Sequence, residues 1–131
     1  MQKYGMGSPR AIGVDIVEIS RIRAIHRRHG KKFFDRMLTR TEQSYCLTKS
    51  DPYPSISGRV AAKEAVAKAM GVGIGGSLRW VSISVENTHL GAPKIVLDSA
   101  GKKSLKKLGG KEILLSISHT ADIAIATAIV R

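Results

Sequence analysis

ISGRVAAKEAVAKAM, from Ile56 to Met70 and followed by Gly71, is the stretch around which the rest of the chain can be read. Alanine is the strongest helix former and glycine a common stop, so these residues predict a helix over 56–70 that ends at Gly71. Glu64 and Lys68 lie four apart and stack on one face, with Arg59 and Lys63 in the neighbouring row. Taken alone, that is an ordinary surface ion pair. Ala61, Ala62, Ala65, Ala67 and Ala69, however, are small enough to admit another backbone or a ligand. One carboxylate ringed by three cations also suits a place holding both Mg²⁺ and phosphate. Magnesium takes few protein carboxylates and completes its octahedron with water and phosphate oxygens.

Upstream, Ala11 to Ile19 (AIGVDIVEI) is a β-branched run and the first strand. Asp15 interrupts it between Val14 and Ile16, and an ionised carboxylate among aliphatics is costly to bury without a cation or donors. An edge position or a nearby Lys or Arg would satisfy it as well as a metal ion would. Ser20 is placed to cap a helix running to about His29, with Gly30 as the stop. Ile22, Ile25 and His29 form its inner row, and Arg21, Arg23, Arg27 and Arg28 face outward. A second short helix covers about 31–38. Thr39 and Glu42 make a T-x-x-E capping box that opens a third, ending before an Asp51-Pro-Tyr-Pro54 loop.

Downstream, Gly71 to Gly76 is a glycine-rich loop, but it follows a helix and lacks Gly-Lys-Ser/Thr, so it is not a nucleotide P-loop. Trp80 to Glu86 alternates, with Trp80, Ser82 and Ser84 opposite Val81, Ile83 and Val85, and predicts a half-buried strand. A turn over 87–93 leads to a returning strand over 94–97. Asp98 or Ser99 caps a basic helix ending at Gly109-Gly110, and strands over 112–118 and 122–130 surround Ser118-His-Thr-Ala121. A strand, then helices, then a strand-rich half with one helix define an α+β fold with a small antiparallel sheet. The hydroxyls and imidazole of Ser116 to Thr120 can donate to phosphate oxygens. A Ser118–His119 catalytic pair is disfavoured because strand neighbours point to opposite faces, and a lone His at a strand end is commonly structural.

The 131 residues fit one domain, expected over 11–131 behind a loose, glycine-containing leader at 1–10. Aromatics are 5% of the chain, so the core must be aliphatic. The longest apolar run, Ile123 to Val130, is far too short to span a bilayer, no secretion signal is read at the start, and Cys46 has no internal partner. A cytoplasmic protein with no membrane segment is expected. One Cys and four scattered His show no zinc spacing. The net charge of +12 favours a polyanionic partner: nucleic acid, an acidic protein or a multiply phosphorylated small molecule.

Five segments together resemble a known family. Ile12-Gly-Val-Asp-Ile-Val-Glu18 resembles the opening strand of the bacterial holo-acyl-carrier-protein synthases, and Gly58-Arg-Val-Ala-Ala-Lys-Glu-Ala65 with Lys68-Ala-Met-Gly71 their signature helix. Phe34-Asp-Arg-Met-Leu-Thr39 with Glu42, the Gly91-Ala-Pro93 turn and Ser116 to Thr120 follow in the same order. The likeness implies an α+β 4′-phosphopantetheinyl-transferase-type domain. It implies transfer of phosphopantetheine from coenzyme A to a serine of apo-acyl carrier protein in fatty acid biosynthesis, and a homotrimer with sites between subunits. It implies that Asp15 and Glu64 hold Mg²⁺, and that Glu64 and Lys68 are catalytic. Arg59, Lys63, Lys68, Gly71, Pro93, Ser118, His119 and Thr120 would bind coenzyme A, and Arg21, Arg28 and Lys32 the acidic carrier. Ala67 departs from the pattern, since some members carry a serine there. The rival is a small basic nucleic-acid-binding module without activity. No RNP-type aromatic pattern supports it, and it leaves Asp15 and Glu64 unexplained.

Overall fold

The computed structural model describes residues 7–76 and 78–131. Most of the expected leader lies outside that range, and Arg10 already joins the sheet, its amide donating to the Val130 carbonyl at 2.7 Å. The order is β1 (Ala11–Glu18), α1 (Ile19–His29), α2 (Lys31–Met37), α3 (Arg40–Cys46), α4 (Tyr53–Ala69), β2 (Ile83–Asn87), β3 (Pro93–Leu97), α5 (Ser99–Lys107), β4 (Ile113–His119) and β5 (Ile123–Val130). β1, β5 and β4 form an antiparallel sheet in that spatial order, and β2 pairs with β3 as a separate ribbon. This is the expected α+β class.

α4 lies across the inner face of the three-stranded sheet. Buried almost all round, it shows no amphipathic stripe, as a helix enclosed by its own fold should not. It begins three residues earlier than its alanine pattern predicts. Pro54 sits in the first turn, where a missing N–H costs nothing, so the second half of the expected Asp51-to-Pro54 loop is helix. It ends as predicted at Gly71 (φ 70°). The Val72 amide donates to the Ala67 carbonyl and the Gly71 amide to that of Lys68, both at 3.0 Å, which satisfies carbonyls the helix end would orphan.

The alanines on α4 bring it close to β1. A Cβ on Gly13 would collide with the backbone carbonyl of Ala65 and approach the amide of Ala69 to 2.8 Å. Ala126 and Ala128 on β5 pack in the same core as these alanines, and Ala124 on that strand is fully buried. A second cluster joins α1, α2, α3 and the start of α4 through Ile22, Phe33, Phe34, Leu38, Cys46, Ile56 and Val60.

Three local expectations change. Ser20 does not cap α1; Glu18 occupies that position and makes no side-chain capping bond. His29 is exposed, and His26 takes the inner place instead, stacked on Phe34 at 4.2 Å with its Nδ1 2.7 Å from the Tyr53 hydroxyl. Trp80–Ser82 is a 3-10 turn rather than strand, and Ile83, Ser84 and Val85 are all buried because both faces of early β2 are covered. The Thr39–Glu42 capping box is present, and Asp98, not Ser99, caps α5.

Candidate active site

Strand alternation places Asp15 on the inner face of β1, against α4, and turns Val14 and Ile16 outward. The carboxylate is therefore not buried among its aliphatic neighbours; it faces the helix that carries Glu64. Lys68 answers it, its Nζ 3.0 Å from Asp15 Oδ1 and 3.1 Å from the Val14 carbonyl. The predicted Glu64–Lys68 pair is thus replaced by a Lys68–Asp15 pair between helix and strand. Among the described residues Glu64 has no hydrogen-bond partner. Partial burial pushes its carboxyl above the usual range, the Asp15 charge pushes it further, and Lys68 pulls back.

Asp15 and Glu64 line one hollow of about 590 Å³, walled by Arg21 from α1, Val60 from α4 and Trp80 from the 3-10 turn. A second hollow of about 550 Å³ opens beside the preceding residues of α4, Gly58 and Arg59, and is lined also by Tyr45, Asn87, Pro93 and His119. Arg59 is held in a fixed pose. Its guanidinium donates to Ser55 Oγ at 3.2 Å and Asn87 Oδ1 at 2.7 Å, and lies 4.4 Å from the Tyr45 ring centroid. Both hollows fall in the size range of small-molecule sites.

Several expected site residues are thus gathered: Asp15, Glu64 and Arg21 in one hollow, with Lys68 paired to Asp15, and Arg59, Pro93 and His119 in the other. Arg21 and Arg28 also share a shallow groove on α1, and Lys32 is exposed nearby in sequence, whereas Lys31 is paired with Asp35 at 2.8 Å.

Lys63 needs correction, and three other expected residues stand outside the two hollows. Lys63 does not face either hollow. It is wholly buried and bound to Glu42, 2.6 Å away, so within this chain it cannot meet a phosphate. Gly71 lines neither hollow, and its role here is the helix stop. Ser118 points to the outer face of the sheet, opposite to His119, as alternation along β4 requires. Thr120 Oγ1 accepts from the amides of Asp122 and Ile123 at 3.1 and 3.2 Å, closing the β4–β5 turn. Sequence reasoning missed Tyr45, Asn87 and Trp80 at the hollows. Only Glu42 carried a signal, its place in the capping box, and that gave no hint of Lys63 as a second partner.

The profile of the 4′-phosphopantetheinyl transferase superfamily matches residues 11–128, and the chain belongs to that superfamily. Within it the similarity is to holo-acyl-carrier-protein synthases, so the chain is an enzyme. That of Chlamydia pneumoniae is 48% identical over 90% of this chain and 93% of its own. That of Chlorobaculum parvum is 46% identical over 92% and 97%. Among solved structures, the synthase of Neisseria meningitidis superposes with a TM-score of 0.87 at 32% identity, covering 95% of this chain and 99% of that one. The synthase of Helicobacter pylori in complex with coenzyme A gives 0.81 at 37% identity, covering 92% and 99%. Membership displaces the reading as a nucleic-acid module without activity.

Proposed function

We propose that the chain transfers 4′-phosphopantetheine from coenzyme A to a serine of apo-acyl carrier protein, with Mg²⁺ as cofactor, in the cytoplasm and in support of fatty acid biosynthesis. The observation that carries this reading is the meeting of Asp15 and Glu64 in one hollow with Arg21 on its wall, beside a second hollow built on Arg59. In the reaction the serine oxygen bonds to the β-phosphorus of coenzyme A. The bond from that phosphorus to the bridging oxygen breaks, and its electron pair leaves with adenosine 3′,5′-bisphosphate.

The residues fit the cofactor. Asp15 and Glu64 are two oxygen donors, and the Glu64 carboxyl is raised first by partial burial and then by the Asp15 charge, which a cation would offset. Mg²⁺ held by them would supply charge neutralisation for the pyrophosphate. Glu64, on the wall of that hollow, would also accept the serine proton. Lys68 holds Asp15 and would bring a positive charge toward the pyrophosphate. Arg59, fixed before any ligand arrives, together with Pro93 and His119, would bind the phosphates and nucleotide end of the coenzyme. The acidic carrier would dock on Arg21, Arg28 and Lys32, drawn by the +12 net charge without nucleic acid being needed.

A homotrimer is part of the proposal. The outer face of β1 exposes Ile12, Val14 and Ile16 at 69%, 51% and 59%, flanked by Leu114 and Ile125, and a neighbouring copy would cover this apolar area. Ser118 lies on that face, so it would reach a site shared with a neighbour rather than the hollow beside His119. Among the described residues no helix is long and apolar enough to cross a membrane. Mass spectrometry of apo-carrier protein incubated with coenzyme A tests the activity. We expect the phosphopantetheine mass increment with Mg²⁺ and none with a chelator; no increment with several carriers would overturn the reading.

A further inference from the structure

A fully committed polar group lies outside both hollows. Lys63 Nζ donates to Glu42 Oε1 at 2.6 Å, to the Trp80 carbonyl at 3.1 Å and to the Ile83 carbonyl at 2.5 Å, which uses all three of its protons. Glu42 is equally committed. Its Oε1 also accepts from the Thr39 amide at 2.9 Å, and its Oε2 from the Val85 amide at 2.8 Å. Both side chains are fully buried. A buried ion pair is a poor way to gain stability, because apolar residues of similar volume often do as well or better. Its geometric effect is larger. This pair ties the middle of α4 to the start of α3, to the 3-10 turn and to β2 at once.

Lys63 immediately precedes Glu64, and Trp80, whose carbonyl Lys63 holds, walls the hollow containing Glu64 and Asp15. We propose that the Glu42–Lys63 pair is a positioning device for the transfer reaction, fixing the rotation of α4 at Glu64 and the approach of Trp80 to it. Neither residue touches substrate; both act through Glu64 and Trp80. The inference rests on the reading of Glu64 as a site residue. It also predicts a division of effects, since Arg59 and Asn87 are joined directly at 2.7 Å, a second tie between α4 and β2 that holds the other hollow when the pair is removed.

The test is the double variant Glu42→Gln/Lys63→Met, which removes both charges together and so leaves no unpaired buried ion. We expect it to fold by circular dichroism. Its KM for coenzyme A should stay within about threefold, while kcat falls at least 30-fold and half-saturating Mg²⁺ rises about tenfold. Trp80 is the only tryptophan of the chain, so its emission gives a readout independent of turnover. It should shift to the red in the variant and lose its response to Mg²⁺. A folded double variant with wild-type kcat and unchanged emission overturns the positioning role. Glu64→Gln in the parent background separates the two ideas, because full activity there would refute the site itself rather than its positioning. If the double variant does not fold, Glu42→Asp decides. Withdrawing the carboxylate by one methylene should give the same kcat loss with a near-constant KM, and an unchanged kcat would refute the proposal.

Discussion

Replacing Gly13 by alanine probes the tight approach of β1 to α4. The added methyl carbon would collide with the Ala65 carbonyl oxygen and stand 2.8 Å from the Ala69 amide nitrogen and 3.0 Å from the Ala65 carbonyl carbon, where ordinary contact begins near 3.4 Å. All three atoms are backbone in the middle of a buried helix, so no rotamer change can relieve them. β1 must move away from α4 by more than half an ångström, opening the contact along Ala65 and Ala69. Overpacking of this kind costs about 1–3 kcal/mol, and a collision with backbone belongs at the upper end. At roughly 3–5 °C per kcal/mol for a chain of this size, Tm should fall by about 10–15 °C. Asp15 lies two residues along the same face of β1, so its place opposite Glu64 shifts with the strand. Turnover measured at 20 °C, well below the melting transition, should therefore drop at least tenfold while the protein remains folded. Thermal melts followed by circular dichroism, with mass-spectrometric turnover, measure both effects. Gly73→Ala is the control, since nothing lies within 4 Å of the position its methyl would take. A Gly13→Ala protein melting within about 2 °C of wild type would refute the packing argument.

Asp15→Asn and Glu64→Gln should each fold but lose at least 100-fold in Mg²⁺-supported turnover; full activity in either at saturating Mg²⁺ removes that residue from the site. Because the ionised carboxylate binds the cation and the Glu64 carboxyl is raised above 4.5, Mg²⁺ affinity should decline on acidification at a higher pH than an ordinary glutamate would give, as titration calorimetry at several pH values can show. In the metal-free protein the sign is the reverse: the raised carboxyl lowers stability as pH rises through its unfolded value, and Mg²⁺ should offset that loss. Arg21→Glu should raise the KM for the carrier at least tenfold with coenzyme A binding unchanged, and added salt should weaken wild-type carrier binding but relieve the variant's repulsion; equal carrier kinetics at low salt would move recognition elsewhere. Cys46, fully buried and with its thiol pushed up by that burial, should react with a thiol reagent at pH 8 only after denaturation, and prompt labelling of the native protein would contradict its place in the core.

Much of this was legible in the residues because it depends on local rules. The α4 alanines and Gly71, the Thr39–Glu42 box and the strand runs at both ends depend on propensity and capping, which act within a few residues. The family resemblance singled out Asp15, Glu64 and Arg21 before any geometry was known, and they share one hollow. What the residues could not disclose were choices between partners distant along the chain. Lys68 pairs with Asp15, 53 positions away, rather than with Glu64 one turn back on its own helix. Lys63, apparently part of a cationic row, is drawn inside by Glu42, 21 positions away. The face of each strand was likewise open: only the packing of α4 against β1 decides that Asp15 looks inward while Val14 and Ile16 look out. A charge or an alternating pattern fixes which residues can pair or face together, but the tertiary fold determines which partner lies within reach and which face is shielded from water.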